Sequence, residues 1–131
     1  MALHWIFDSQ RLLVVHTAEG DFTHADLMAY IDAVEGAKVL SWRKLFDAST
    51  ARLAMTETEL MSAGARIRGT HENAPSGPMA VILPHDDDGP FMRFLGFLSA
   101  AERPMRLFRD LEPALRWVEA MPLLVPEERP V

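Results

Sequence analysis

The chain contains no cysteine. That absence removes disulfides, thiolate metal sites, iron–sulfur clusters and a cysteine nucleophile together, and it makes the cytoplasm the natural setting. No apolar run approaches the roughly 20 residues needed to cross a bilayer. The opening MALHWIFDSQ has neither the basic start nor the long apolar stretch of a signal peptide. A soluble protein without membrane insertion is therefore expected. Basic residues are the minority, 13 Lys and Arg against 19 Asp and Glu for a net charge of −6. With no local basic patch to offset that balance, nucleic acid is not an expected partner. Cofactor motifs are also missing. There is no GxGxxG, no GxSxG elbow, and no HxxxH or HExxH pair among the five histidines. The stretch GARIRGT (64–70) has the glycine spacing of a phosphate loop but lacks its lysine and sits at a helix end. The sequence thus predicts no catalytic residue, no cofactor and no resident metal.

What is present reads as alternating strands and helices. His4–Phe7 and the run Leu12-Leu13-Val14-Val15 flank a polar Asp8-Ser9-Gln10 turn, as in a hairpin. Thr23 with Asp26 three residues on marks a helix start, and Phe22 can staple to Leu27. Leu27, Ile31 and Val34 give that helix one buried stripe, and Gly36 can end it. RKLFDAS (43–49) supplies a third strand, and a second helix opens on the capping box Thr56–Glu59. Glu72 to Pro78 reads as a loop by turn chemistry. Met79–Leu83 is apolar at every position, which suits a strand covered on both faces in a parallel sheet. A third helix follows Pro90. Met105–Phe108 forms a fifth strand suited to an edge, and Asp110 caps a last helix. The predicted fold is α/β with the order β-β-α-β-α-β-α-β-α. Its five-stranded sheet is mostly parallel, with the first strand antiparallel because a short hairpin joins it to the second. Residues 1–121 make one domain, and the Pro-rich tail 122–131 is expected to be extended.

That order, with the phrases RKLFDAS, PMAVILP and RPMRLFRDLEPALRWVE, resembles the SpoIIAA-like branch of the STAS superfamily over residues 3 to 120. The resemblance implies a bacterial, non-catalytic binding or regulatory module that acts through protein contacts. In phosphoswitch members an Asp-Ser-Ser-Gly-Leu motif opens the helix after the third strand. The matching stretch here is Thr56-Glu57-Thr58-Glu59-Leu60, in which only Leu60 is retained. Thr58 stands where the phosphorylated serine would be, between two glutamates whose charge opposes a phosphate.

Three groups of residues are site candidates. Asp47, Ser49 and Thr50, with His85 and Asp86, lie where strands end at the carboxyl edge of the sheet, the usual place for ligands in open α/β sheets. They form the rim of a ligand or partner surface. Asp47 has a simpler reading as an Asx-turn residue, and His85 with Asp86–Asp88 has one as a helix start. The third helix is the second candidate. Phe91, Met92, Phe94 and Phe97, with Leu95 and Leu98, spread over roughly 220° of its circumference, more than one core-facing stripe. Core packing, a homodimer interface and an apolar ligand face all fit that spread. Thr58 is the third. The leading reading is the protein-contact module. The alternative is a small carrier or sensor for an apolar or anionic ligand at the carboxyl edge.

Overall fold

The computed structural model describes residues 3–73, 76–85, 89–98 and 103–123. The chain runs β1 (Leu3–Asp8), β2 (Leu13–Thr23), α1 (His24–Gly36), β3 (Arg43–Ala54), α2 (Glu57–Asn73), β4 (Met79–Ile82), α3 (Pro90–Leu98), β5 (Met105–Phe108) and α4 (Leu111–Ala120). The five strands form one sheet in the order β1-β2-β3-β4-β5. β1 pairs antiparallel with β2, and every other neighbouring pair is parallel. Both features follow from connection length. A turn of a few residues can only reverse a chain, whereas a helix returns it in register for a parallel neighbour.

Alternation along the strands sends side chains to opposite faces. Val14, Phe46 and Val81 belong to a core with α1, α2 and α3, which contributes Val34, Ile67 and Phe94. Leu13, Leu45, Ala80 and Ile82 face the other way and pack against Ala114 and Val118 of α4. α1 to α3 therefore cover one face of the sheet, and α4 covers the other.

The helix starts follow the sequence closely. Thr23 and Asp26 form a reciprocal capping box, and Thr56 and Glu59 form another, with Glu59 accepting from the Thr56 amide and Thr56 Oγ1 from the Glu59 amide. Several boundaries differ from the sequence reading. Leu12 is not in a strand: its φ of 50° places it in the left-handed region, ending the turn whose amides at Gln10 and Arg11 donate to Asp8. α1 does end at Gly36, with Ala37 as its C-cap, and the left-handed residue that turns the chain is Lys38 at φ 60°. α2 continues to Asn73, into the predicted loop. Asp110 occupies the N-cap position of α4 without a side-chain capping hydrogen bond.

The largest difference concerns β2 and β3, which continue to Thr23 and Ala54 as a paired ribbon. Their register shifts once: Thr17 lies opposite Asp47, and Glu19 opposite Thr50. Two residues of β3, Ala48 and Ser49, thus stand against Ala18 alone, which is a β-bulge. Asp47 is consequently not a strand terminus. Its Oδ1 accepts from the Ser49 amide at 3.0 Å and the Ser49 hydroxyl at 2.7 Å, tying the bulge locally.

Candidate functional site

On the α1–α3 side of the sheet lies a cavity of about 50 Å³. This is several times the roughly 10–15 Å³ that admits one water. Most of its wall is apolar, formed by residues such as Leu27, Ile31 and Val34 of α1, Ile67 of α2 and Phe94 of α3. The sheet contributes His16, Lys44 and Phe46, and the segment before β5 contributes Arg103. Cationic side chains in such a wall are uncommon, because an ion loses its hydration there and needs compensation.

Each polar group is placed by the strand register. His16 and Phe46 are direct partners across β2 and β3, and Lys44 shares the face of Phe46 two residues before it. His16 is stacked between Tyr30 and Phe46, with ring centroids 4.4 and 4.6 Å away and planes within 7° in both cases. Its Nε2 lies 3.5 Å from the Tyr30 hydroxyl. Phe22 and Phe94 extend the aromatic cluster by edge contacts with Phe46.

Lys44 is 3% exposed. Its Nζ donates to the carbonyls of Leu40 and Trp42, the latter at 2.9 Å. Gly77 donates its amide to the same Leu40 carbonyl at 2.8 Å. Its own carbonyl accepts from Arg103 Nε at 2.9 Å. These contacts bind residues 40–44, 76–79 and 103 together at the amino edge of β3, β4 and β5. Arg103 as a whole is half-buried, but its Nη2 is closed off from solvent and has no hydrogen-bond partner.

The electrostatics follow from this enclosure. Burial, reinforced by the positive Arg103, holds the Lys44 amine well below its usual range. Burial lowers the Arg103 guanidinium to about 10, with the neighbouring Tyr30 phenol acting in the opposite sense. It also raises the Tyr30 phenol above its usual range. The His16 imidazole is held well below its usual range by burial first and then by Lys44 and Arg103.

The His16 shift has a measurable consequence. An unfolded histidine takes up a proton near pH 6.5, whereas His16 in the fold resists protonation to lower pH. Between those two points the unfolded chain binds more protons, so stability falls as pH drops below about 6.5 and is insensitive to this group above it. Chemical denaturation of wild type and His16→Phe at several pH values between 7 and 5 should show an extra acid loss in wild type, with a slope up to about 1.4 kcal/mol per pH unit. Parallel losses in the two proteins would refute the assignment.

The predicted rim is arranged differently from this cluster. Asp47 and Ser49 are half-buried in the bulge, and Thr50 and His85 are exposed at the carboxyl edge. Asp86 lies outside the described residues. Phe91 and Phe94 are each 1% exposed within the core, which assigns them to packing, and Met92 is 50% exposed. The Phe97 side chain is outside the described residues. Thr58 is exposed in the first turn of α2, between Glu57, which pairs with Arg93, and Glu59, which serves the cap. Among the described residues no group of three or more histidine or acidic side chains is arranged to hold a metal ion, and no helix is long and apolar enough to cross a membrane.

Sequence reasoning passed over Lys44 and Arg103. One signal was present: in RKLFDAS, Lys44 occupies the same strand face as Phe46, so alternation alone points a lysine inward. Arg103 carries no comparable periodic signal, since it lies in a connection.

No protein-family model and no curated protein matches the chain. Solved structures are similar in fold, two of them over most of the chain. One is an uncharacterized protein of the DUF3478 family with a SpoIIAA-like fold from Shewanella loihica PV-4, at 15% identity over 89% of this chain and 92% of that one, with a TM-score of 0.60. The other is the anti-sigma factor antagonist SpoIIAA in its unphosphorylated form, at 18% identity over 92% of this chain and all of that one, with a TM-score of 0.54. The five-stranded sheet, its single antiparallel edge and its alternating helices are the SpoIIAA-like α/β fold.

Proposed function

We propose that this protein is a non-catalytic binding module of STAS type that holds a small ligand in the cavity between its sheet and α1–α3. The observation that carries this reading is the wall itself. An apolar chamber lined in part by Lys44, His16 and Arg103, the last with a buried Nη2 that has no hydrogen-bond partner, keeps polar groups where packing alone would favour hydrocarbon. The site lies toward the amino edge of the parallel strands, away from the carboxyl-edge rim of Asp47 and His85. Native mass spectrometry of the purified protein tests the reading. A retained small molecule, or a complex formed on adding short-chain carboxylates or alcohols, is the expected outcome. A bare chain throughout, with no thermal shift from those compounds, would remove it.

A second reading is protein contact, which the SpoIIAA-like fold favours through the anti-sigma factor antagonist it resembles. α2 and α3 pack together, joined by the Arg93–Glu57 ion pair. Each leaves a methionine outward, Met61 at 60% and Met92 at 50% exposure, and such side chains make adaptable contacts. A homodimer through α3 belongs to this reading. Light scattering across concentration, on wild type and Met92→Glu, separates a self-associating protein from a monomer that docks a different partner.

A further inference from the structure

We infer that the cavity ligand carries a carboxylate, a short-chain organic acid whose head lies at the Lys44 and Arg103 end of the cavity and whose short apolar body faces the α1 wall. This rests on the cavity-ligand reading above and narrows it to one chemical class.

The argument is one of charge and hydrogen-bond accounting. Lys44 has two backbone carbonyls as acceptors and Arg103 Nε has one. Carbonyls satisfy donors but supply no counter-charge. Among the described lining residues, the Tyr30 phenol is kept neutral by burial, and burial likewise disfavours the charged form of His16. None of the described residues lining the cavity is an Asp or a Glu. Four surface arginines pair with acids, Arg11 with Glu119, Arg52 with Asp21, Arg66 with Asp32 and Glu35, and Arg93 with Glu57, whereas Arg43 and Arg109 donate to backbone carbonyls. Arg103 has a carbonyl on Nε and a closed-off, unpartnered Nη2.

A monoanion supplies counter-charge that the backbone carbonyls do not. Guanidinium and ammonium bind carboxylate by short charge-assisted hydrogen bonds, which are stronger where water is excluded. The size of the space selects a compact ligand, since about 50 Å³ is room for a few water-sized groups, and its lining offers mainly hydrocarbon and aromatic faces, with Thr70 and Ser76 as its neutral hydroxyl residues. A neutral isostere would fill the same space and leave Arg103 Nη2 without an acceptor charge.

Tyr30 is the only tyrosine in the chain, and its ring borders the cavity. A sample labelled at the tyrosine ring ε positions therefore reports on this one residue at the site. Titration of the full chain with butyrate and with its neutral isostere butyramide, at constant ionic strength, should move the Tyr30 signal with butyrate binding roughly tenfold or more tightly. Arg103→Met should abolish the preference, and Arg103→Lys, which keeps the charge, should restore part of it. Equal affinity for the acid and the amide would overturn the carboxylate inference and leave the cavity-ligand reading intact. Binding of neither, with the Tyr30 signal unmoved, would overturn both. The wild-type comparison decides the matter even if Arg103→Met does not fold.

Discussion

Gly77→Ala is expected to leave the chain largely unfolded at room temperature. A Cβ at this position would stand 2.5 Å from the Ser41 carbonyl oxygen and 2.7 Å from the Trp42 carbonyl carbon, and closer still to the Trp42 oxygen. All three are backbone atoms, so no side-chain rotation relieves the overlap. The 40–42 turn and the strand entry at 77 would have to separate, breaking the hydrogen bond that the Gly77 amide donates to the Leu40 carbonyl. Separation would also disturb the Leu40 and Trp42 carbonyls that hold Lys44. Several kcal/mol lost from a domain whose total stability is about 5–15 kcal/mol leaves little margin. Far-ultraviolet circular dichroism with urea titration measures it. A midpoint close to wild type would show that the two segments do not approach as described.

Phe46→Ala should cost about 3–5 kcal/mol, the range for deleting a fully buried aromatic ring. Phe46 stacks on His16 and meets Phe22 and Phe94 edge-on, with centroids 5.6 and 6.4 Å away. It links β2, the segment entering α1, and α3. Because the ring also borders the existing cavity, its removal enlarges a void already present, and the surrounding elements cannot all close on it. Denaturant unfolding would report a lower midpoint with little change in slope. A loss below about 1 kcal/mol would mean that the core collapses around the deletion, contrary to the close packing that makes such losses large.

Much of this architecture was readable residue by residue. The Thr23–Asp26 and Thr56–Glu59 boxes announce their helices because both partners are local, within three positions. Met79–Leu83 announces a strand covered on both faces because every side chain is apolar. Strand ends were less readable. The run from Glu19 to Thr23 is polar enough to read as a loop, and it is a strand because Thr50–Ala54 pairs with it, a contact made some thirty residues away. The bulge that absorbs Asp47 depends on the same pairing. Asp47 therefore looked like a terminus, although its local bond to Ser49 was foreseeable from its chemistry.

The third helix shows the same division. Its broad apolar arc was evident, but which residues face inward depends on the α2 and sheet surfaces it meets. Those surfaces take Phe91 and Phe94 and leave Met92 outside.

Order and type of the elements, the hairpin and the parallel crossovers, and two of the helix caps were determined by sequence alone, because periodicity and capping act over a few residues. The cavity and its cations were decided by the tertiary structure. Lys44, Gly77 and Arg103 meet only when the starts of three strands are brought side by side. Whether a lysine is buried, and which acceptors surround it, depends on neighbours that are distant along the chain.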